Sequence, residues 1–436
     1  MLIKLLNLKQ LIFGIAIIYL LGACNNEKRQ IVRNDLMDSL ISSYAESGLA
    51  KSNDSVLQFW KNRINPRLPG LVSESKYAAT LSMRYRLFGN IADLKRADSV
   101  IRKVDFNYNH REAHTYLTLV AYSIMQHRFK EAEFYLQKAK ELGLKKYDLL
   151  TTSFDVDFEL GKYYKAENEL KQFKSSNDYN YYYRRSKMDH LNGLLDSSIH
   201  AMLKAAILDE NSDYLKQVAL ASAADLNIHA AKMQKAADLY LQCIRLNNSD
   251  FHSILGLGWI ALVHDKNDSL AERIFQFVRS KNKLPDPLFK LTQMANARGD
   301  VKLERKYAQE FELDATDSVY GNMYNKYMIE LYTGILNDPA KAEMISRREL
   351  DNRATPQTYS WYAWSLYSNN KKQEAYAIYQ QYVSGKPLEG LELYWMGKLM
   401  QGLNKGYNAD QFFKAAYTNK YDLSPGIVKD LEQNLQ

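Results

Sequence analysis

A chain of 436 residues with 46% hydrophobic and 25% charged side chains is long enough for several globular domains, but 19 glycines and 8 prolines are too few for a turn-rich β protein. The formal charge of +8 is thinly spread, because basic clusters such as KELGLKK and RRSK are short and interleaved with acids, so no nucleic-acid footprint is expected. The two cysteines cannot form a disulfide framework, since Cys24 ends an apolar leader and Cys243 falls on a helical core position.

The first element in chain order is that leader. Lys4 and Lys9 precede an apolar run from Leu11 to Leu21, and the small residues Gly22 and Ala23 stand before Cys24. This predicts a signal peptide ending at a lipid-attachment cysteine. The run is shorter than the ~20 residues a spanning helix needs. Leu21-Gly22-Ala23-Cys24 resembles the bacterial lipobox, which implies removal of residues 1–23 and acylation of Cys24. By the same resemblance Asn25 is not the inner-membrane retention aspartate, so an outer-membrane anchor in the cell envelope is expected. Residues 24–34 are polar and predict a short tether.

Apolar residues next recur at helical spacing, as Leu36, Leu40, Ile41 and Tyr44 and then as Val56, Phe59, Trp60 and Ile64. Residues 35–72 are therefore expected to form N-terminal capping helices. Pro66, Pro69 and Gly70 break the pattern before the next region.

From there the chain repeats. Phe129, Ala132 and Leu136 are followed by Tyr163, Ala166 and Leu170, each 34 residues on, within paired amphipathic stretches. The segments HTYLTLVAYSIMQHRFKEAEFYLQKAKELG and DLLTTSFDVDFELGKYYKAENELKQFKSSN resemble tetratricopeptide (TPR) repeats. The resemblance implies an all-α, right-handed superhelical TPR solenoid of about ten helix-turn-helix repeats over residues 73–417. Aligned on the small residue where the second helix presses on the first, the units carry Leu94, Ala132, Ala166, Ser198, Ala236, Ala271, Glu304, Ala342, Ala375 and Ala409. Leu94 and Glu304 depart from that pattern. Gly89-Asn90, Gly161-Lys162 and Gly299-Asp300 lie where first helices must stop. Ser424-Pro425 opens a last helix, so residues 418–436 are expected to be a C-terminal cap with Lys429, Asp430, Glu432 and Gln433 on its polar face.

No catalytic pattern emerges. His110 and His114 are four apart, but Glu112 lies midway between them and no third ligand follows, so no metal site is expected. Asp155 and Asp157 face apart on a helix, and no phosphate loop or CxxC pair occurs. The expected protein is therefore not an enzyme and needs no cofactor.

For a TPR lipoprotein the resemblance implies a non-catalytic envelope scaffold that holds a peptide or protein partner on its concave face, in outer-membrane assembly or secretion. By resemblance, Tyr183, Lys187 and His190 face that side in the fourth unit, with Arg184 adjoining, and Asp155 and Asp225 hold the corresponding place in the flanking units. Two readings stay open: a charge ladder between neighbouring helices, or a cationic site for an acidic or C-terminal group whose apolar part meets Trp364, Tyr367 and Tyr394. The chaperone-type carboxylate clamp is not reproduced. An alternative function is a surface lipoprotein that binds glycans or small ligands through the C-terminal aromatics, among them Tyr324, Tyr327, Trp361 and Trp395.

Overall fold

A computed structural model describes residues 30–65, 67, 70–175, 177–208 and 212–436. The leader, Cys24, Asn25, Pro66 and Pro69 lie outside the described residues. Helices dominate, and no strand occurs among the described residues.

Two helices, α1 (Asn34–Ser42) and α2 (Gly48–Lys61), precede the repeats. The first five units are α3 (Leu71–Phe88) with α4 (Ile91–Asn107), α5 (Ala113–Met125) with α6 (Phe129–Leu142), α7 (Lys146–Glu159) with α8 (Tyr163–Gln172), α9 (Tyr179–Leu191) with α10 (Leu195–Leu208), and α11 (Asp213–His229) with α12 (Met233–Leu246). Unit six is α13 (Phe251–Val263) with α14 (Asp268–Lys281), and unit seven is α15 (Asp286–Arg298) with α16 (Val301–Asp314). After the short α17 (Asp317–Tyr320) come α18 (Asn325–Thr333) with α19 (Pro339–Asn352), α20 (Pro356–Ser368) with α21 (Lys372–Ile378), and α22 (Gly390–Gly402) with α23 (Gly406–Thr418). A π-helical turn, Tyr379–Val383, extends α21, and α24 (Pro425–Asn434) ends the chain. The whole is an all-α solenoid of TPR type.

Register is kept by a single position. In every unit the aligned small residue is the fourth of the second helix, and from Leu94 to Ala409 these positions are closed to solvent, with one exception. A small side chain there lets two helix backbones approach. The residue one turn later then fills the groove, as Leu136, Leu170, Tyr240, Phe275 and Phe413 do. Leu94, despite its size, is fully buried. The exception is Glu304, which is half-exposed and accepts a hydrogen bond from Asn296 Nδ2 at 3.0 Å, leaving Ala308 and Phe311 to fill that unit's interior.

The solenoid does not remain an open spiral. The turn inside a unit meets the connection that follows the unit five places on. After unit six, Lys283 N–H donates to Phe88 O at 2.9 Å, against the turn of unit one. After unit seven, Asn322 Nδ2 donates to His127 O at 3.5 Å, and Asn352 joins it, donating from Nδ2 to the same oxygen and accepting from Phe129 N–H, both at 2.9 Å. After unit eight, Arg353 faces Glu159 at 3.7 Å and Thr355 packs on Gly161. After unit ten, Asp422 meets His229 at 2.7 Å while Trp259 Nε1 donates to Tyr421 O at 2.7 Å. One superhelical turn thus takes about five to six repeats, and a polar seam joins successive turns.

Both chain ends reinforce the seam. Helix α2 packs on unit one, where Asn53 Nδ2 donates to Thr80 O at 3.3 Å, whereas α1 crosses to unit six, where Arg273 pairs with Asp38 at 3.0 Å. Ile31 and Val32 donate their amides to the Asp265 carboxylate at 3.1 and 2.8 Å, so the expected tether is pinned before residue 34. The last helix also departs from a simple cap. It touches α15 as well as α23, and Asp430 points inward to Tyr394 Oη at 2.9 Å and Lys398 Nζ at 3.2 Å instead of lying on a polar outer face.

The seam predicts a difference between two glycines. Gly89 and Gly299 both have left-handed φ, +69° and +72°, but a Cβ on Gly89 would stand 2.8 Å from the Leu284 amide nitrogen and one on Gly299 would meet nothing. Gly299→Ala should cost only the left-handed penalty of about 1–2 kcal/mol. Gly89→Ala should cost about 1–3 kcal/mol more through overpacking and should raise amide exchange at Lys283. Urea unfolding of the two variants with hydrogen exchange checks this, and equal destabilisation would contradict the seam.

Candidate binding surface in the superhelical bore

Closure of the superhelix turns the concave face into the lining of a bore. First helices supply this lining because their second helices pack on the outside. Successive turns come close at its edge: Arg86 of unit one lies 5.9 Å from the Tyr214 ring of unit five. Yet the side chains keep water contact, with His252 60% exposed and Asp225 41% exposed.

Charges in the bore are mostly paired between adjacent first helices. Arg184 Nη2 meets Asp155 at 2.5 Å, Lys187 Nζ meets Glu159 at 3.1 Å, and His252 Nε2 meets Asp225 at 3.0 Å. The ladder of neighbouring charges therefore exists, but Lys187 and Asp225 do not join each other in it. Farther along, the fully buried Glu392 accepts from Lys326 Nζ at 2.8 Å and Trp361 Nε1 at 2.7 Å, and Glu389 stands 3.6 Å from the same ammonium. His190 and His229 lie ring to ring at 4.9 Å.

These surroundings move proton affinities in opposite directions. Burial pushes Lys290, whose ammonium sits 3.5 Å over the Trp259 ring, down to about 8, and pushes Glu330 up to about 7. The charge of Asp225 raises His252 to about 9. His229 is also raised, because the Asp422 hydrogen bond and charge outweigh burial, whereas burial and the His229 charge lower His190. Burial, helped by Arg353, lowers His127 to about 4.

The residues singled out from sequence are distributed as follows. Arg184 is buried, and beyond Asp155 it donates to Thr151 O at 3.2 Å and to Asn180. Lys187 lies 4.5 Å over the Phe158 ring, and Tyr183 stacks on Tyr179 at 5.8 Å. Trp364 is half-buried, donates to Thr333 Oγ1 at 2.9 Å and stacks with Tyr367 and with Trp395 at 5.6 and 5.8 Å. Tyr394 is half-buried and bound to Asp430, and Trp361, Trp395 and Tyr324 belong to the core. Cys24 lies outside the described residues. His110 sits in a loop against Asp105 at 2.6 Å while His114 is exposed on α5, and no metal-holding group of three ligands occurs among the described residues. Burial raises the Cys243 thiol to about 12. Sequence reasoning missed Glu389, Asp422 and Arg353, which sit in connections with no repeat register, and Lys290, Lys326 and Glu330, which occupy different registers of their helices.

No family model and no curated protein matches the chain. Among solved structures it is similar to PilF of Pseudomonas aeruginosa, at 13% identity and a TM-score of 0.36, over 46% of this chain and 90% of that one. It is also similar to a tetratricopeptide repeat protein from Parabacteroides merdae ATCC 43184, at 14% identity and 0.34, over 66% and 98%. Yeast Tom70 is similar at 12% identity and 0.34, over 88% and 92%. The repeat assignment rests on the chain's own geometry.

The Asp225–His252 pair predicts a pH dependence. An imidazole free in the unfolded chain titrates near ~6.5, so the stability gained from a raised folded value is complete below that pH and is lost as pH rises through about 9. The urea midpoint should therefore fall between pH 6.5 and 9. In His252→Gln that decline should be smaller, and an unchanged profile would show that His252 is not held protonated.

Proposed function

We propose that the protein is a non-catalytic cell-envelope scaffold, lipid-anchored through Cys24, that binds a peptide or protein partner through the concave face in outer-membrane assembly or secretion. The observation that carries this reading is a bore lined by charged and aromatic side chains that stay wetted although chain surrounds them. Because the seam blocks entry from the side, the partner enters as an extended segment and not as a folded domain. Its acidic or C-terminal group meets Tyr183, Arg184, Lys187 and His190, and its apolar part meets Trp364, Tyr367 and Tyr394. A glycan platform has less support, since Trp361, Trp395 and Tyr324 among the C-terminal aromatics are buried in the core.

Two measurements test this proposal. Lys187→Met and Trp364→Ala should each weaken capture of a cross-linked envelope partner by about tenfold while the helical circular dichroism is kept, as hot-spot truncations do. Unchanged capture by both folded variants would move the partner site elsewhere. Cys24→Ser should shift the protein from the membrane to the soluble fraction and abolish fatty-acid labelling, and a wild type that never takes up the label would refute the anchor.

A further inference from the structure

A cavity of ≈ 140 Å³ lies where α3 of unit one approaches α11 of unit five, α13 and α14 of unit six, and the start of α15. We propose that it is a binding site for a small zwitterion with an aliphatic arm, that is, a free α-amino acid of the leucine type. This proposal does not depend on the scaffold reading.

Size sets the first limit. An apolar cavity of about 150 Å³ holds one benzene-sized molecule, so this one takes a single small ligand and no peptide. Its walls are not uniformly apolar. Met83, Leu87, Leu255 and Leu284 are among its apolar walls, while Arg86, Asp250 with His252, and Asp286 reach it from three different segments of chain.

The ionic groups are assembled but do not neutralise one another. Among the described residues no carboxylate pairs with Arg86, whose guanidinium instead touches Met125 Sδ at 3.2 Å and faces the Tyr214 ring. Among the same residues no cation pairs with Asp286, whose carboxylate accepts from Tyr324 Oη at 2.6 Å. Asp250 accepts from Ser253 N–H at 3.3 Å and Ser253 Oγ at 2.6 Å, and it too lacks a cation. Among the described residues the ion pair at the rim is His252 with Asp225, and the charges of Asp250 and Asp286 act on the same imidazole without pairing with it.

A guanidinium and two carboxylates left without ionic partners beside a partly enclosed space favour a ligand that brings both charges. A simple carboxylate would meet Arg86 but also face Asp250 and Asp286. A simple amine would meet Asp286 but face Arg86 and His252. An α-amino acid answers both, with its carboxylate on Arg86, its ammonium toward Asp286, and its aliphatic arm against Met83, Leu87, Leu255 and Leu284. The last of these belongs to the seam, since its amide nitrogen stands beside Gly89. Occupation of the cavity would therefore also tighten the join between the two superhelical turns.

The test is calorimetric titration and thermal shift of the purified protein with the twenty standard amino acids, 4-methylpentanoate, isopentylamine and a leucine-ended tripeptide. Saturable binding is expected for L-leucine or a close aliphatic relative, with at least a tenfold loss for the acid that lacks the ammonium and for the amine that lacks the carboxylate. Arg86→Met should give a loss of similar size, and Leu255→Trp should abolish binding by filling the space. Circular dichroism establishes that each variant is folded, and if Leu255→Trp is not, Arg86→Met alone decides. Binding of the acid or the amine as tight as that of the amino acid overturns the proposal. So does the absence of binding by all twenty amino acids, or binding of the tripeptide alone.

Discussion

Hydrogen bonds across the seam are the constraint on which the rest of the structure depends. A helix end leaves carbonyls without intrahelical partners, and a solenoid of helix pairs exposes a row of them at its turns. Here the turns do not leave all of these to water. Phe88 O, His127 O and Tyr421 O each accept from a residue far away in sequence, and their donors come from an opposing turn, from short asparagine side chains or from an indole. Each such bond adds only about 0.5–1.5 kcal/mol net. Their effect comes from geometry, because all of them must be satisfied at one superhelical pitch. A wider or narrower pitch would strand the carbonyls that this pitch satisfies.

Closure then determines the electrostatics. On an open concave face Lys290 and Glu330 would be solvated ions, but inside the bore both are drawn toward neutrality, and Lys290 finds an aromatic face in place of a carboxylate. Lys326 shows the opposite outcome. Burial disfavours its charge as well, but Glu392 and Glu389 together outweigh that, and its proton is held more tightly than usual. In the bore, therefore, burial shifts an unpaired charge toward its neutral form, whereas a charge with two partners is fixed. Because Lys290 is moved to about 8 and Glu330 to about 7, the charge that an incoming ligand meets there changes with pH near neutrality.

Much of this was legible in the sequence, and the boundary between legible and hidden follows sequence distance. Ala132, Ala166, Ala236 and Ala409 announce helix pairs because the contact they make is to the helix just before, and Gly89 and Gly161 mark turns for the same local reason. The partner of Lys187 was hidden by one helical turn of register, since Glu159, four residues beyond the expected Asp155, reaches its ammonium. Asp430 looked like free surface and is a half-buried acceptor, because Tyr394 of unit ten donates to it. The seam itself was illegible. Pitch is the sum of many small rotations between neighbouring units, and no single residue pattern states that sum. Asn352, which makes two of the seam's hydrogen bonds, is the last residue of α19 and holds no place in the small-residue pattern.

Unit six is where these effects converge. Its first helix, α13, presents Gly256 and Gly258, and a Cβ on either would overlap Tyr240 or Phe275, so the glycines let the helix sink between its neighbours. That depth puts the end of α13 within reach of both termini of the described chain. Asp265 takes the amides of Ile31 and Val32, His264 hydrogen-bonds Asp265 at 2.8 Å and lies 6.0 Å from the Tyr421 ring, and Trp259 holds the Tyr421 carbonyl. A solenoid whose ends were free could unwind from either side, repeat by repeat, since each unit would rest on one neighbour alone. With both ends fastened to the same interior unit, fraying at one end must also break contacts in the middle. The closed superhelix therefore gains cooperativity that a linear stack of the same units would lack.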